Sequence, residues 1–592
     1  MSNYTWKSIL AIAVRHKKAL ITAHIIAMLA ALVSVPIPLL LPLMVDEVLL
    51  HQPGTSVALM NQLYPTHWQT PVTYIATVLI ITLTLRLLAV ALGVWQMQKF
   101  TLISKDITFH LRRHMLLRLH KVSMSEYETL GSGKIASHLV TDIDAIDLFV
   151  GASVSRFLVA LLSILGTAIV LLMIHWQLAL FILCLNPIVI YFTTIMGKKV
   201  KQLKKQENSA YALFQESMAE TLDAIQEIRA ANRDQHYLLQ VIQRAKQIKQ
   251  HSGNFTWKSD AATRLSFVIF LFGFDMFRAL SMTMVLFSGL SVGLMFAVFG
   301  YLWFMMSPVQ ELLGIQYAYH SANAALGRIN QLLTMPQEPH YTHQHNPFTN
   351  TDTVAIHLQD LTFAYAQGPL VLDRITLNIE AGERVALVGA SGGGKTTLVH
   401  VLLGLYPPNS GDILFNGISF RQIGLDIIRD HVAIVLQHPA LFNDTIRANL
   451  TLGRAPVEAD LWQALKIAQL DQVIQDLTHG LDTIIGKNGI RLSGGQRQRL
   501  AIARMVLSRP KVVIMDEATS SLDTTTEAKL HNALEHFLLG KTTLIIAHRL
   551  SAIRQADRIL VFEQGRITED GQHDTLILNH GQYAKLYGEQ VG

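Results

Sequence analysis

The sequence predicts two parts of different class: an all-α, membrane-spanning part over residues 1–335 and an α/β part over residues 354–592. Three observations predict this. Long uncharged runs are confined to residues 20–310. After Val354 short apolar strands alternate with helices, the pattern of a parallel sheet covered by helices. One of those strands, "RVALVG", runs into "GASGGGKTT" (Gly389–Thr397), a glycine-rich turn of the form G-x-x-x-x-G-K-T.

Composition agrees with a chain lying partly in lipid: 50% of its 592 residues are hydrophobic and only 16% charged. The net charge of +6 could suggest nucleic acid, but the basic residues cluster beside apolar spans, so membrane topology is the simpler cause and no nucleic-acid partner is expected. The single cysteine, Cys184, excludes a disulfide within the chain and a cysteine metal cluster; in its apolar run it is expected to pack or face lipid. The N-terminus, "MSNYTWKSILAIAVRHKKAL", has no small-residue cleavage site after a short apolar core. It reads as an amphipathic helix on the membrane, with Trp6, Leu10 and Ile12 on the apolar side.

A bilayer core needs about 20 apolar residues in helical form. Six candidates lie near Leu20–Val45, Val72–Met97, Phe157–Ile174, Leu178–Met196, Leu265–Phe287 and Ser291–Ser307. Residues 51–70 carry no Lys or Arg, whereas residues 99–156 and 197–264 are strongly basic. The positive-inside rule places both long loops, and both termini, in the cytoplasm. These loops have helical periodicity with almost no Gly or Pro, so they should continue the spans as long rods. Turns are expected at Tyr127–Lys134 and Tyr211–Met218. A polar segment rich in proline and histidine, residues 336–353, reads as a solvated linker; His340, His343 and His345 are expected to be part of it rather than metal ligands.

The strand–turn–helix context around Gly389–Thr397 is the one a phosphate loop requires. Gly389, Ser391, Gly392, Gly393 and Gly394 let backbone N–H groups close around a β-phosphate. Lys395 reaches the β- and γ-phosphates, the Thr396 hydroxyl suits Mg²⁺, and Thr397 continues into the helix. A second strand, "VVIMDE", delivers Asp516 and Glu517 to the carboxyl edge of the sheet, where open α/β folds bind ligands. Asp516 fits the acid that holds Mg²⁺, and Glu517 can polarise an attacking water. ATP and Mg²⁺ are therefore the expected nucleotide and metal.

With "LSGGQ" at Leu492–Gln496 the chain resembles an ATP-binding-cassette exporter half-transporter over nearly its whole length. The resemblance implies an all-α six-helix transmembrane domain of ABC exporter type fused to a cytoplasmic α/β P-loop nucleotide-binding domain. It also implies residue roles. Tyr365 in "LTFAY" resembles the aromatic that stacks on adenine. Gln437 resembles the Q-loop glutamine, which touches Mg²⁺ and senses the membrane domain. Asp523 ends a D-loop-like "SSLD", and His548 resembles the switch histidine at the γ-phosphate. Ser493, Gly494, Gly495 and Gln496 form the signature turn, which in this family covers the nucleotide on the partner's phosphate loop. A second copy of the chain is the expected partner; a different half-transporter would leave no mark on this sequence. The two turns of the cytoplasmic rods match the family's coupling helices. One residue departs from the pattern: Lys487 in "GKNG" stands where the family usually has glutamate.

What is moved is less legible. The resemblance implies ATP-driven export of an amphipathic peptide, lipid or drug-like molecule across a bacterial inner membrane, with import of a siderophore-like compound on the same fold as the alternative. No peptidase domain precedes the first span, so leader-peptide cleavage is not expected. The last two spans are rich in Met276, Met282, Met284, Met295, Phe296, Phe299, Met305 and Met306, which suit varied cargo or plain lipid contact. Asp275 and Arg278 lie one turn apart at membrane depth and read either as a self-neutralised pair that settles helix packing or as a polar contact in the cargo cavity, with Arg86, midway in the second span, as a candidate third member.

Overall fold

A computed structural model describes residues 3–587 apart from Pro53, Asn350, Gln367, Lys487, Asn488, Ser520 and His548. The side chains at 132, 182–190, 192–194, 196–198, 313 and 524 are not described either, so the reading of Cys184 lies outside the described residues. The chain divides into two compact units: Met1–His120 with Gly131–Thr334, and Lys121–Leu130 with Met335–Gly592.

The first unit is helical. Among the described residues, five helices are long and apolar enough to cross a membrane: Lys17–Leu49, Pro71–Leu119, Gly133–Ile174, Asp234–Phe287 and Val292–Leu333. The fourth expected span lies in the helix Trp176–Asp223, where most side chains at the relevant depth are outside the description. The helix Pro71–Leu119 has 49 residues. At 1.5 Å per residue it is about 70 Å long, more than twice a bilayer core of about 30 Å, so it must continue beyond the lipid. Pro36, Pro38 and Pro42 interrupt the first span's hydrogen-bond ladder, and a 3₁₀ turn (Ile37–Leu39) and a π-helical segment (Leu43–Leu49) follow.

Buried polar groups fix the packing of the first span on the sixth. Asp46 accepts from the Ser291 hydroxyl (2.5 Å) and the Gly293 N–H (2.7 Å), at the start of the sixth helix. Those N–H groups have no partner inside the helix, and a carboxylate there also meets the positive end of the helix dipole. The Tyr301 hydroxyl donates to the Val35 carbonyl at 2.7 Å, at the place where proline disrupts the ladder.

One local expectation gains detail and one needs correction. The N-terminal helix Trp6–Arg15 buries Ile9 and Ala13, one turn apart, whereas Leu10 is exposed. Its start is pinned by Trp6 Nε1 donating to Asn323 and by Tyr4 exchanging two bonds with Asn330. The helix therefore packs Ile9 and Ala13 on protein and leaves Leu10 on the outside. The second cytoplasmic turn is displaced. Residues 211–218 remain helical because they contain no breaker, and the helix continues to Asp223. The reversal occurs after Ile225–Ala230, around Asn232, which has a left-handed φ of 53°.

The second unit carries two sheets. An antiparallel sheet runs β2-β1-β4-β5, where β1 is Ile356–Ala364, β2 Leu370–Ile379, β4 Ser410–Phe415 and β5 Ile418–Ser419. The second sheet runs β10-β9-β3-β8-β7-β6. In it β3 (Arg384–Val388), β6 (Val432–Val435), β7 (Val512–Asp516), β8 (Thr542–Ile546) and β9 (Arg558–Glu563) are parallel, and β10 (Arg566–Gly571) is antiparallel at the edge. The central strands β7 and β8 are buried along their whole length, as their unbroken apolar runs require.

In residues 336–353 His340, His343 and His345 are exposed, but the segment is anchored to the second unit rather than wholly solvated. Phe348 is buried and stacks on His431 at 4.7 Å, and His343 Nε2 pairs with Asp426 at 2.7 Å. Among the described residues no cluster of His, Cys, Asp and Glu suits a metal. The short helix Met124–Leu130 belongs to this unit. Val122 bridges to Gln337, and Ser123 N–H donates to the Pro336 carbonyl.

Candidate nucleotide site

The strand β3 ends at Val388, and the turn Gly389–Gly394 leads into the helix Lys395–Leu402. Two glycines are obligatory for steric reasons. Gly389 has φ 137°, and a Cβ there would lie 2.1 Å from the Phe562 carbonyl oxygen. Gly394 has φ 101°, and a Cβ would lie 2.7 Å from the Val371 carbonyl oxygen. The turn can therefore sit directly on the neighbouring backbone; the Gly393 N–H donates to the Ala390 carbonyl at 3.2 Å, which leaves the turn's other N–H groups to face an anion. Lys395 is buried, and its ammonium donates to the carbonyls of Gly389 (2.8 Å) and Ala390 (3.0 Å). Burial lowers its pKa, and the carboxylates of Glu517 and Asp516 oppose that shift.

The acids arrive from β7. Asp516 is buried, and its Oδ2 accepts from the Thr396 hydroxyl at 3.2 Å. Burial raises its carboxyl pKa, against the Thr396 hydrogen bond. A desolvated carboxylate beside a hydroxyl is a hard-oxygen pair that gains from a cation, so the residues present fit Mg²⁺. Glu517 follows in a left-handed conformation, φ 47°. Its N–H is held by the Ile546 carbonyl at 3.1 Å, and its Oε2 accepts from Gln437 Nε2 at 2.7 Å. That backbone is unfavourable for a non-glycine residue and re-aims the carboxylate away from the strand direction.

On the other flank, the Tyr365 hydroxyl lies 3.2 Å from Thr397 Oγ1, and its ring packs edge-on against Phe363 and Tyr406. The ring remains 40% exposed, enough to offer one face to a base. The signature turn starts the helix Gly494–Leu507, for which Ser493 is the N-cap. Ser493 and Gln496 form a reciprocal capping box: the serine hydroxyl accepts from the Gln496 N–H (3.2 Å), and Gln496 Oε1 accepts from the Ser493 N–H (2.8 Å). Gly495 lies against the loop after β7, where a Cβ would be 2.8 Å from Leu522. Asp523 caps the next helix by accepting from the Thr526 N–H at 2.9 Å.

Comparison with known proteins fits this geometry. The family model described as "ABC transporter transmembrane region" matches residues 20–309, and the model "ABC transporter" matches residues 372–520. Together they cover most of the chain. The chain is an ABC transporter. Its similar proteins include the uncharacterized ABC transporter ATP-binding protein YwjA of Bacillus subtilis, 34% identical over 82% of this chain and 85% of that one. The ATP-dependent lipid A-core flippase of Legionella pneumophila (strain Lens) is 30% identical over 87% of each chain, and that of Syntrophus aciditrophicus 31% over 83% of each. A bacterial Atm1-family ABC exporter solved with ATP bound superposes with a TM-score of 0.80 over 97% of this chain and 98% of the other, at 23% identity, so the fold is that of an exporter.

The transporter's site contains a residue that the sequence pattern did not single out. Gln498 is buried and links three loops: its Nε2 donates to the carbonyls of Gln437 (3.3 Å) and Glu517 (3.4 Å), and its Oε1 accepts from the Ser521 N–H (3.1 Å). A polar residue on the same helical stripe as Ala501 and Met505 was the available signal. A second addition is Glu128, in the helix Met124–Leu130, which hydrogen-bonds the Tyr406 hydroxyl. Burial raises the Tyr406 pKa, and this neighbouring acid adds to the effect. His548 and Lys487, both singled out by resemblance, lie outside the described residues.

Proposed function

We propose that two copies of this chain form a transporter that uses ATP to move an amphipathic molecule outward across a bacterial inner membrane, with both termini in the cytoplasm. The observation that carries this reading is the presence of two phosphate-facing turns on one domain: the glycine loop below Lys395 and the Ser493-capped helix start. A helix N-terminus with free N–H groups is an anion site. The second turn packs on its own chain's Leu522, so its remaining donors are available to a nucleotide held by another copy.

In that dimer the loop N–H groups and Lys395 hold the phosphates and Tyr365 stacks on adenine. Thr396, Asp516 and Gln437 would hold Mg²⁺, which offsets phosphate charge when bound. Glu517, oriented by Gln437, takes a proton from the attacking water. The partner's copy of the signature turn faces the γ-phosphate, the group that the resemblance also assigns to His548. Glu128 holds the Tyr406 hydroxyl within the cassette unit. Binding then favours the closed pair and hydrolysis releases it, a two-state equilibrium biased by differential affinity.

The names of the flippase relatives support a lipid-like cargo, and the exporter fold supports outward movement. The test is movement of labelled amphiphiles in proteoliposomes with outward-facing cassettes. ATP is expected to drive accumulation in the lumen. Depletion of preloaded lumen on adding ATP would establish import instead.

A further inference from the structure

Two segments leave neighbouring central strands of the second unit. One starts at Glu517 after β7, and the other at Ala547 after β8. They start in contact, because the Glu517 N–H donates to the Ile546 carbonyl at 3.1 Å. A cavity of about 130 Å³ is lined by Glu517, Ala518 and Thr519 of the first, by Ala547, Arg549 and Ala552 after the second strand, and by residues of the helix Thr524–Leu538. Protein interiors are close-packed, so a void here means that packing alone does not fix either segment.

Glu527 supplies what packing does not. It stands in the first turn of the helix Thr524–Leu538 and is 6% exposed. Its Oε1 accepts from the Thr519 hydroxyl at 3.1 Å, and its Oε2 accepts from Arg549 Nη1 at 2.5 Å. Thr519 follows Glu517 closely in the sequence, and Arg549 directly follows His548. One carboxylate therefore holds both segments, and its bond to Arg549 is charge-assisted. His531 Nε2, one turn further along the helix, is 3.6 Å from the same Oε1, beyond hydrogen-bond range. The Thr519 carbonyl accepts from the Leu522 N–H at 3.1 Å, so the tie continues into the turn where Gln498 holds Ser521. A buried ion pair is a poor device for stability alone, because well-packed apolar residues of similar volume often replace one without loss.

We propose that Glu527 is a positioning residue for ATP hydrolysis. Through Thr519 and Arg549 it ties the segment that carries Glu517 to the segment after β8, and so keeps Glu517 in the left-handed turn that aims its carboxylate. Glu527 acts through Glu517 and not on the nucleotide. This rests on the reading of Glu517 as the general base. The phosphate loop belongs to other elements, β3 and the helix Lys395–Leu402, so ATP affinity should not follow the loss of the tie.

The test uses the full-length protein in liposomes and reads kcat, half-saturating ATP, thermal unfolding and inhibition by orthovanadate. Vanadate beside ADP takes the five-coordinate shape of the transferring phosphoryl group, so its inhibition constant reports transition-state geometry in the sites that are folded. Glu527→Gln removes the charge that Arg549 meets. Glu527→Gln with Arg549→Met removes both charges and leaves no lone buried ion. Both variants should lower kcat about 10–100-fold, the scale on which a misplacement of about 1 Å acts. The vanadate constant should rise by a similar factor, with half-saturating ATP within a few-fold of wild type. Arg549→Lys, which keeps the charge, should stay within a few-fold of wild type. Adding Glu527→Gln to Glu517→Gln should cost little more than Glu517→Gln alone. A kcat within a few-fold of wild type in either Glu527 variant overturns the inference. So does a low kcat with an unchanged vanadate constant, which means fewer folded sites, and so does ATP affinity that falls in step with kcat. If no variant of the pair folds, the tie is structural and the inference fails. Wild-type turnover by Glu517→Gln removes the base reading and the inference with it. A slow Glu517→Gln beside a normal Glu527→Gln removes the inference alone.

Discussion

Glu517→Gln is expected to reduce steady-state ATP hydrolysis about 10²–10⁴-fold, the usual contribution of a positioned general base. The amide is isosteric, so the left-handed turn and the Ile546 hydrogen bond that place residue 517 should persist. Gln437 Nε2 now donates to Glu517 Oε2 at 2.7 Å and can donate to an amide oxygen in the same position. The phosphate loop and Lys395 are untouched, so nucleotide affinity should be retained. Phosphate release and equilibrium binding of a fluorescent ATP analogue, measured on one preparation, separate the two effects. Hydrolysis within a few-fold of wild type would remove Glu517 from the role of base. A parallel loss of binding would mean that the carboxylate holds the nucleotide and not the water.

Lys395→Ala and Ser493→Arg should each abolish hydrolysis when expressed alone and recover part of it when co-expressed. Lys395 is the buried cation of the phosphate loop, and Ser493 starts the helix whose N–H groups are proposed to face the partner's nucleotide. In a mixed dimer both defects fall in one shared site, and the other site keeps a native loop and a native signature turn. If pairing is random, half the dimers are mixed and each has one of two sites intact, so activity should reach about a quarter of wild type. Recovery to that level requires the sites to act independently. A purified mixed dimer, isolated through two different tags, that remains inactive would show that hydrolysis needs both sites.

The parts of the site that could be read from the sequence are those where chemistry restricts residue type at fixed spacing. Gly389 and Gly394 admit no Cβ because backbone carbonyls lie 2.1 Å and 2.7 Å from where it would be, so their spacing is visible in any sequence that builds this turn. Asp516 and Glu517 were visible because four apolar residues of a buried strand precede them. Gln498 was not singled out, since its value lies in three loops that meet only after folding. The same holds for Glu128, whose partner Tyr406 is far away in sequence, and for the affiliation of Met124–Leu130 with the second unit. The reversal near Asn232 was misplaced because helix periodicity continues through Tyr211–Met218, and what ends the rod is a left-handed residue rather than a glycine or proline. In the membrane part, hydropathy located the spans but not their rotation. Met295 and Met305 are buried with Tyr301, whereas Met276 and Met282 are exposed, a division that composition does not encode.

The central claim is that the signature turn of one chain completes the nucleotide site of another. Cysteine cross-linking tests this most directly, because the sequence has a single native cysteine, Cys184, which can be replaced. In a Cys184→Ala, Glu517→Gln background, chains with Ser391→Cys alone are mixed with chains carrying Ser493→Cys alone, and a short bifunctional thiol reagent is added with ATP. The account predicts a cross-linked species of twice the chain mass that forms only in the mixture and increases with ATP. A chain carrying both cysteines that cross-links internally and stays at monomer mass, with no product from the mixture, would contradict it.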